Sequence, residues 1–225
     1  MVAELFAQTR IRVAAVYGLE RWAEGNAAAL APFYSIFNPV TEAELKKISA
    51  LATPQQVLAV AELPEPNPGA SFDGMSFYLD GLRDPGNLGA VLRIADWFGF
   101  SAVYCSADCA DAYSPKVVQA SMGAVLRMPV AGMELAVLAA TTPGLPVMGA
   151  VLDGVNVLDS ALPTRGLLVI GNEGSGIRPE TERLLTHRLT IPRAPGSRAE
   201  SLNAAVAAGI LAALLTGRNG GLPEK

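Results

Sequence analysis

From residue 77 to residue 215 the sequence repeats one rhythm: an apolar run of strand length, a loop, then a helical segment. Two runs, PVMGAVL (146–152) and GLLVIG (166–171), contain no polar alternation at all. Strands that alternate between core and solvent do not read this way; strands buried on both faces do. Parallel strands need a crossover between them, and a helix is the usual one. The rhythm therefore predicts an α/β domain with a mainly parallel sheet. The expected strands are 77–82, 101–105, 125–130, 146–152, 166–171 and 189–192, and the expected helices 90–100, 115–122, 134–140, 179–185 and 201–215.

Upstream, ELPEPNPGAS (62–71) is polar and proline-rich and reads as a linker. We place a small domain at 1–62, the linker at 63–71 and the large domain at 72–225. In the small domain, 11–17 and 57–63 suit strands and 19–33 suits a helix. Thr41-Glu-Ala-Glu44 has capping-box spacing and should start a short helix through Ser49. A unit of that size is marginal by itself.

Several classes are disfavoured. The opening MVAELFAQTRIRV carries acid and lacks an apolar core, so it does not read as a signal peptide, and the run 204–215 is too short to span a bilayer. A cytoplasmic protein without membrane association is the expectation. Cys105 and Cys109 lie in CSADC and His187 is the only histidine, so no metal is expected, and the thiols read as ordinary reduced cysteines. The net charge of −4 does not advertise a nucleic-acid binder. The arginines 178, 183, 188, 193 and 198 stand against Glu180 and Glu182, with Glu173 just upstream, and first read as a solvated face.

Ligands of open parallel sheets bind at the carboxyl ends of strands. Three loops in that position are rich in unusual residues: GLRDPGNLGAVLR (81–93), GNEGSGI (171–177) and IPRAPGSRAESLN (191–203). None is a phosphate cradle, a dinucleotide fingerprint or a nucleophile elbow. Each residue also has a structural explanation. Asn87 and Ser201 fall where helix N-caps belong, a contribution of about 1 kcal/mol each. The glycines permit positive φ, and Glu173 suits a helix N-terminus.

Taken together, LRDPGNLGAVLRIADWFG, SPKVVQASMGAVLRMPV, LLVIGNEGSGI and IPRAPGSRAESLNAAVAAGI closely resemble the SpoU/TrmH family of RNA ribose 2′-O-methyltransferases, within the SPOUT class. The three motifs occur in order over about two-thirds of the chain. The resemblance implies a parallel-sheet domain with a C-terminal trefoil knot, S-adenosyl-L-methionine as cofactor, ribosomal or transfer RNA as substrate, and a homodimer. It also implies that the small domain is a truncated, L30e-like RNA-binding module of ribosomal-protein type. By motif matching, Asn87, Arg93, Glu173, Ser201 and Asn203 are the expected catalytic residues. Gly171, Asn172, Glu173, Gly174, Ile191, Pro192, Ser201, Leu202 and Asn203 are the expected cofactor-binding residues. The segment between Pro192 and Ser201 is longer than the family form and brings in Arg193 and Arg198. Beside a cofactor pocket, the arginines from 178 to 198 become candidate RNA-backbone contacts. The competing expectations are a knotted RNA-binding or ribosome-assembly protein without activity, a methyltransferase for another acceptor, and a nucleotide enzyme of another class.

Overall fold

The computed structural model describes residues 1–64, 72, 74–159 and 161–217. Most of the expected linker, residues 65–71, and the end of the large domain, 218–225, lie outside the described residues. The chain divides into two compact units, Met1–Glu65 and Pro66–Lys225.

The first unit runs α1 (Val2–Ala7), β1 (Val13–Gly18), α2 (Glu20–Gly25), α3 (Ala27–Leu30), a 3-10 turn (Ala31–Ile36), β2 (Phe37–Pro39), α4 (Glu42–Ile48) and β3 (Val57–Ala61). Its sheet has the order β2-β1-β3, with β1 parallel to β2 and antiparallel to β3. The helix expected over 19–33 is interrupted at Asn26, whose side chain turns back to donate to the Trp22 carbonyl at 2.8 Å; Pro32 then opens the 3-10 turn. The capping box forms as read. Glu44 N–H donates to Thr41 Oγ1 at 3.3 Å and Thr41 N–H to Glu44 Oε2 at 2.8 Å.

The second unit runs β4 (Met75–Asp80), α5 (Pro85–Trp97), β5 (Val103–Cys105), α6 (Pro115–Ala120), α7 (Ala124–Arg127), β6 (Val130–Gly132), α8 (Leu135–Thr141), β7 (Val147–Asn156), β8 (Gly166–Gly171), α9 (Pro179–Glu182), β9 (His187–Thr190) and α10 (Ala204–Gly217). Its six strands lie in the order β6-β5-β4-β8-β7-β9, and every pairing is parallel. Residues of β4 and β8 feed two cores in turn. Phe77, Leu79, Leu168 and Ile170 pack into one with α5 and α10, whereas Tyr78, Leu167 and Val169 pack into the other with α8. This is the both-faces burial that the apolar runs require.

Three expectations are corrected. The strand over 125–130 is instead α7 followed by β6. Met122 (φ +50°) and Gly123 (φ +90°) end α6 with a left-handed break, and Val125 and Met128, one helical turn apart, then reach the core together. Asn87 is not an N-cap: α5 begins at Pro85, and the Asp84 carboxylate caps it by accepting from Asn87 N–H at 2.7 Å. Nor is Ser201 a cap. Asn203 Oδ1 accepts from the N–H groups of Ala205 (3.0 Å) and Val206 (3.2 Å), and α10 starts at Ala204. In both places a carboxylate or amide three residues or fewer away outcompetes the residue expected to cap.

Gly89 is where α5 crosses α6. A Cβ there would lie 2.5 Å from the Ala120 Cβ and 2.9 Å from the Ala120 carbonyl carbon and the Ser121 nitrogen. Alanine normally gains about 1 kcal/mol over glycine in a helix, but backbone contacts this close cannot give way and overpacking costs about 1–3 kcal/mol. Gly89→Ala is therefore expected to destabilise the protein by up to about 2 kcal/mol, read as a lower urea midpoint; a raised midpoint would contradict the close crossing.

Candidate functional site

After β4 the chain moves to β5 on one side; after β8 it moves to β9 on the other. Since β4 and β8 are neighbours with Asp80 opposite Gly171, their carboxyl ends form the switch point of the sheet, where the loops part and leave a crevice.

The loop after β8 closes on itself. Asn172 and Gly176 exchange two main-chain hydrogen bonds, of 2.9 and 3.0 Å. Inside this ring Asn172 Oδ1 accepts from Gly174 N–H (2.9 Å) and Ser175 N–H (3.1 Å), while Asn172 Nδ2 donates to the Gly81 carbonyl at 2.8 Å. Gly171 must be glycine because a Cβ would sit 2.3 Å from the Gly176 carbonyl carbon.

A second set of bonds joins all three motif loops. Asn203 Nδ2 donates to Asn87 Oδ1 (2.9 Å), and Asn87 Nδ2 donates to Glu173 Oε1 (2.9 Å). These residues are 86 and 116 positions apart, so only the fold brings them together. Asn87 is in the first turn of α5 and Asn203 caps α10, so the partial positive ends of two helices lie beside the Glu173 carboxylate. Of the other expected residues, Ile191 packs on the larger core, and Pro192, Ser201 and Leu202 are exposed. Among the described residues, no main-chain or side-chain hydrogen bond engages Ser201 or Leu202. Arg93 is exposed on α5 and takes no ion pair among the described residues. The chain Asn203–Asn87–Glu173 is thus assembled, while among the described residues Arg93 and Ser201 stand outside it.

One cluster was not anticipated. Asp80, whose side chain is 0% exposed, accepts from Arg178 N–H at 2.8 Å and from Arg178 Nε at 2.7 Å, with Nη2 closing on the same carboxylate. Arg178 also faces Asp108 at 3.6 Å, and Asp108 takes Arg83 at 3.2 Å and the Ser106 hydroxyl at 2.8 Å. A lone acid ending an apolar strand was the available signal, since a buried carboxylate demands a partner. Arg188 is likewise committed, to Asp153 (2.5 Å) and Glu182 (3.5 Å). Arg178 and Arg188 are thus ion-paired within the fold; among the described residues Arg183, Arg193 and Arg198 carry no ion pair. A groove in the first unit, lined by Glu20, Arg21, Glu42 and Glu44 among others, has the wrong charge for phosphate.

Residues 74–213 match the model of the SpoU rRNA Methylase family. An uncharacterized tRNA/rRNA methyltransferase of Synechocystis is 34% identical over 177 residues, 74% of this chain and 62% of that protein. The 23S rRNA (guanosine(2553)-2′-O)-methyltransferase of Bacillus subtilis is 33% identical over 184 residues, 80% of this chain and 69% of that protein. The AdoMet-bound rRNA methyltransferase of Sinorhizobium meliloti superposes with a TM-score of 0.84 at 25% identity, covering 100% of this chain and 86% of that one. The fold is a parallel-sheet α/β methyltransferase fold. The chain belongs to the SpoU family, and it spans about three-fifths of the Synechocystis relative's length.

Beside Asp108, Cys109 Sγ as a thiol donates to the Leu79 carbonyl at 3.2 Å and lies 3.5 Å from the Ser106 hydroxyl. The neighbouring Cys105 thiol, more than Ser106, draws Cys109 down to about 6 against the opposing effect of burial, and Cys105 itself is pushed up. The thiolate reacts and the thiol does not, so Cys109 gains reactivity as pH rises through that value. Iodoacetamide labelling followed by mass spectrometry should show Cys109 modified with a midpoint near pH 6 and Cys105 spared. A midpoint above 8 would contradict the stabilised thiolate.

Proposed function

We propose that this chain is an S-adenosyl-L-methionine-dependent methyltransferase that modifies a ribose 2′-hydroxyl of ribosomal or transfer RNA. The observation that carries the reading is the hydrogen-bonded chain Asn203–Asn87–Glu173, which ties the three motif loops together at the switch point of the sheet. The Bacillus subtilis relative's name specifies transfer to a guanosine 2′-oxygen, and the Sinorhizobium structure holds AdoMet.

The residues present fit the cofactor. Ser201 and Leu202 leave main-chain donors and acceptors unused, and the half-exposed Leu202 side chain and Ile191 offer apolar surface. That combination suits an adenine, whose edge needs hydrogen bonds and whose faces need apolar contact. We assign adenosyl binding to the main chain of Gly171, Ile191 and Leu202, with Asn172 and Gly174 shaping the loop and Pro192 flanking it. When bound, S-adenosylmethionine supplies an electrophilic methyl group carried on a sulfonium.

The protein's own part is positioning, which can supply up to roughly 7–11 kcal/mol when reactants are well aligned. Glu173 holds Asn87, and Asn87 holds Asn203, so their amides form a fixed frame for the acceptor ribose. The free Ser201 hydroxyl completes the hydrogen-bonding set. Arg93 projects its guanidinium to solvent, where it binds the phosphate next to the target and offsets negative charge developing on the 2′-oxygen. It does not take the proton, because a guanidinium stays charged at neutral pH; the hydroxyl proton passes to solvent water, which reaches the exposed Ser201 and Asn203. Glu173, already accepting from Asn87, orients the loops.

Three finer features belong to the same reading. The segment 191–203 and α10 return beside α5, which supports a trefoil knot closed around the β8 loop. The protein works as a homodimer. The first unit, with its three-stranded mixed sheet, is the L30e-like module that selects RNA in the cytoplasm.

The test is methyl transfer to total RNA from a strain lacking the protein, with the 2′-O-methylated nucleotide mapped. The expected result is one ribose-methylated site, and Arg93→Lys should lower turnover by at least about tenfold through loss of the planar fork. Methylation of a base, or none, would overturn the reading. Arg193 and Arg198 are exposed, and Arg193 Nη1 already shapes the loop by donating to the Ala199 carbonyl at 2.8 Å. Changing both to glutamine should lower the salt slope of RNA binding by roughly one per arginine with cofactor affinity unchanged; an unaltered slope would remove them from the RNA footprint.

A further inference from the structure

Besides the Glu173–Asn87 bond to α5, two tethers of the 171–177 loop lead to the end of β4. Asn172 Nδ2 binds the Gly81 carbonyl, and the residue that closes the loop, Arg178, binds Asp80 through its main-chain N–H as well as its guanidinium. Both Asp80 oxygens are used, in two directions. Such a carboxylate fixes where the loop ends and how its last peptide is turned. A buried ion pair is a poor way to gain stability, since well-packed apolar residues in its place often do as well. Its effect here is geometric.

We infer that Asp80 and Arg178 are positioning residues that aim the 171–177 loop, so that Glu173 meets Asn87 and the loop main chain faces the cofactor. The inference rests on the proposed methyltransferase reading. Neither residue touches a reactant. The pair acts through Glu173, whose Oε1 must arrive 2.9 Å from Asn87 Nδ2 while its own loop is held from the far end. Asp108 and Arg83 extend the brace: Asp108 faces Arg178 at 3.6 Å and Arg83 at 3.2 Å. Lysine at 178 would keep the charge but lose the fork that grips one carboxylate through two nitrogens.

The decisive experiment measures single-turnover methyl transfer for Arg178→Lys alone and in a Glu173→Ala background, with S-adenosylhomocysteine affinity by calorimetry alongside. Asp80→Asn, nearly isosteric, is the second variant should Arg178→Lys fail to fold. We expect Arg178→Lys to lose roughly tenfold or more in rate in the wild-type background and less than about twofold once Glu173 is gone, because residues acting as a unit are not additive. Homocysteine-form affinity should fall several-fold in Arg178→Lys and in Asp80→Asn. An equal fold loss in both backgrounds, with a lowered melting temperature and unchanged affinity, would make the pair a purely structural element and overturn the inference. If the wild type binds S-adenosylhomocysteine but methylates no RNA, the functional reading fails separately, and the affinity of the two variants still decides whether the pair aims the loop.

Discussion

The register of β4 against β8 sets up everything else in the second unit. It places Asp80 opposite Gly171 at the carboxyl edge of the sheet, so the loop leaving one strand can be pinned to the end of the other. Gly171 lets the returning loop approach its own strand to a distance no side chain would permit. Asp80 supplies a buried charge that Arg178, seven residues past Gly171, satisfies. A one-residue slip would invert the faces of one strand relative to the other, mixing the residues of the two cores. The hydrophobic pattern that makes the core therefore also aims the loops that make the site.

The sequence shows the fold class plainly and the boundaries less so. Runs such as GLLVIG, short and bounded by glycines, became central parallel strands. The segment 125–130 misled because apolar runs of strand length are also one turn of buried helix; the left-handed residues at 122 and 123 decide between them. Asn87 and Ser201 looked like caps because their residue types cap helices, yet Asp84 and Asn203 took those roles. A cap depends on which neighbour holds the extended conformation, and that is settled by tertiary packing.

For the site, the motifs placed Asn87, Glu173 and Asn203 in three separate loops, and the structure shows them hydrogen-bonded in one chain. What could not be read was the support behind them. Asp80 looks like a strand-ending acid, and Arg178 looks like one of five arginines in a charged stretch. Pairing over 98 positions carries no local signature. The same pairing sorts the arginines by availability. Those bonded to Asp80 and Asp153 are committed to the fold, whereas Arg93, Arg193 and Arg198 remain exposed beside the motif loops. A chain of net charge −4 can present local positive potential in this way, by neutralising its acids elsewhere.

The central claim is that the three loops at the switch point form one pocket for the adenosyl group. Amide chemical shifts of the isotopically labelled protein, recorded while S-adenosylhomocysteine is titrated, test it most directly. The account predicts saturable shifts clustered at Gly171–Gly174, Ile191 and Leu202, with Met1–Glu65 unaffected. No saturable binding, or shifts confined to the groove between β2 and α4 of the first unit, would contradict it.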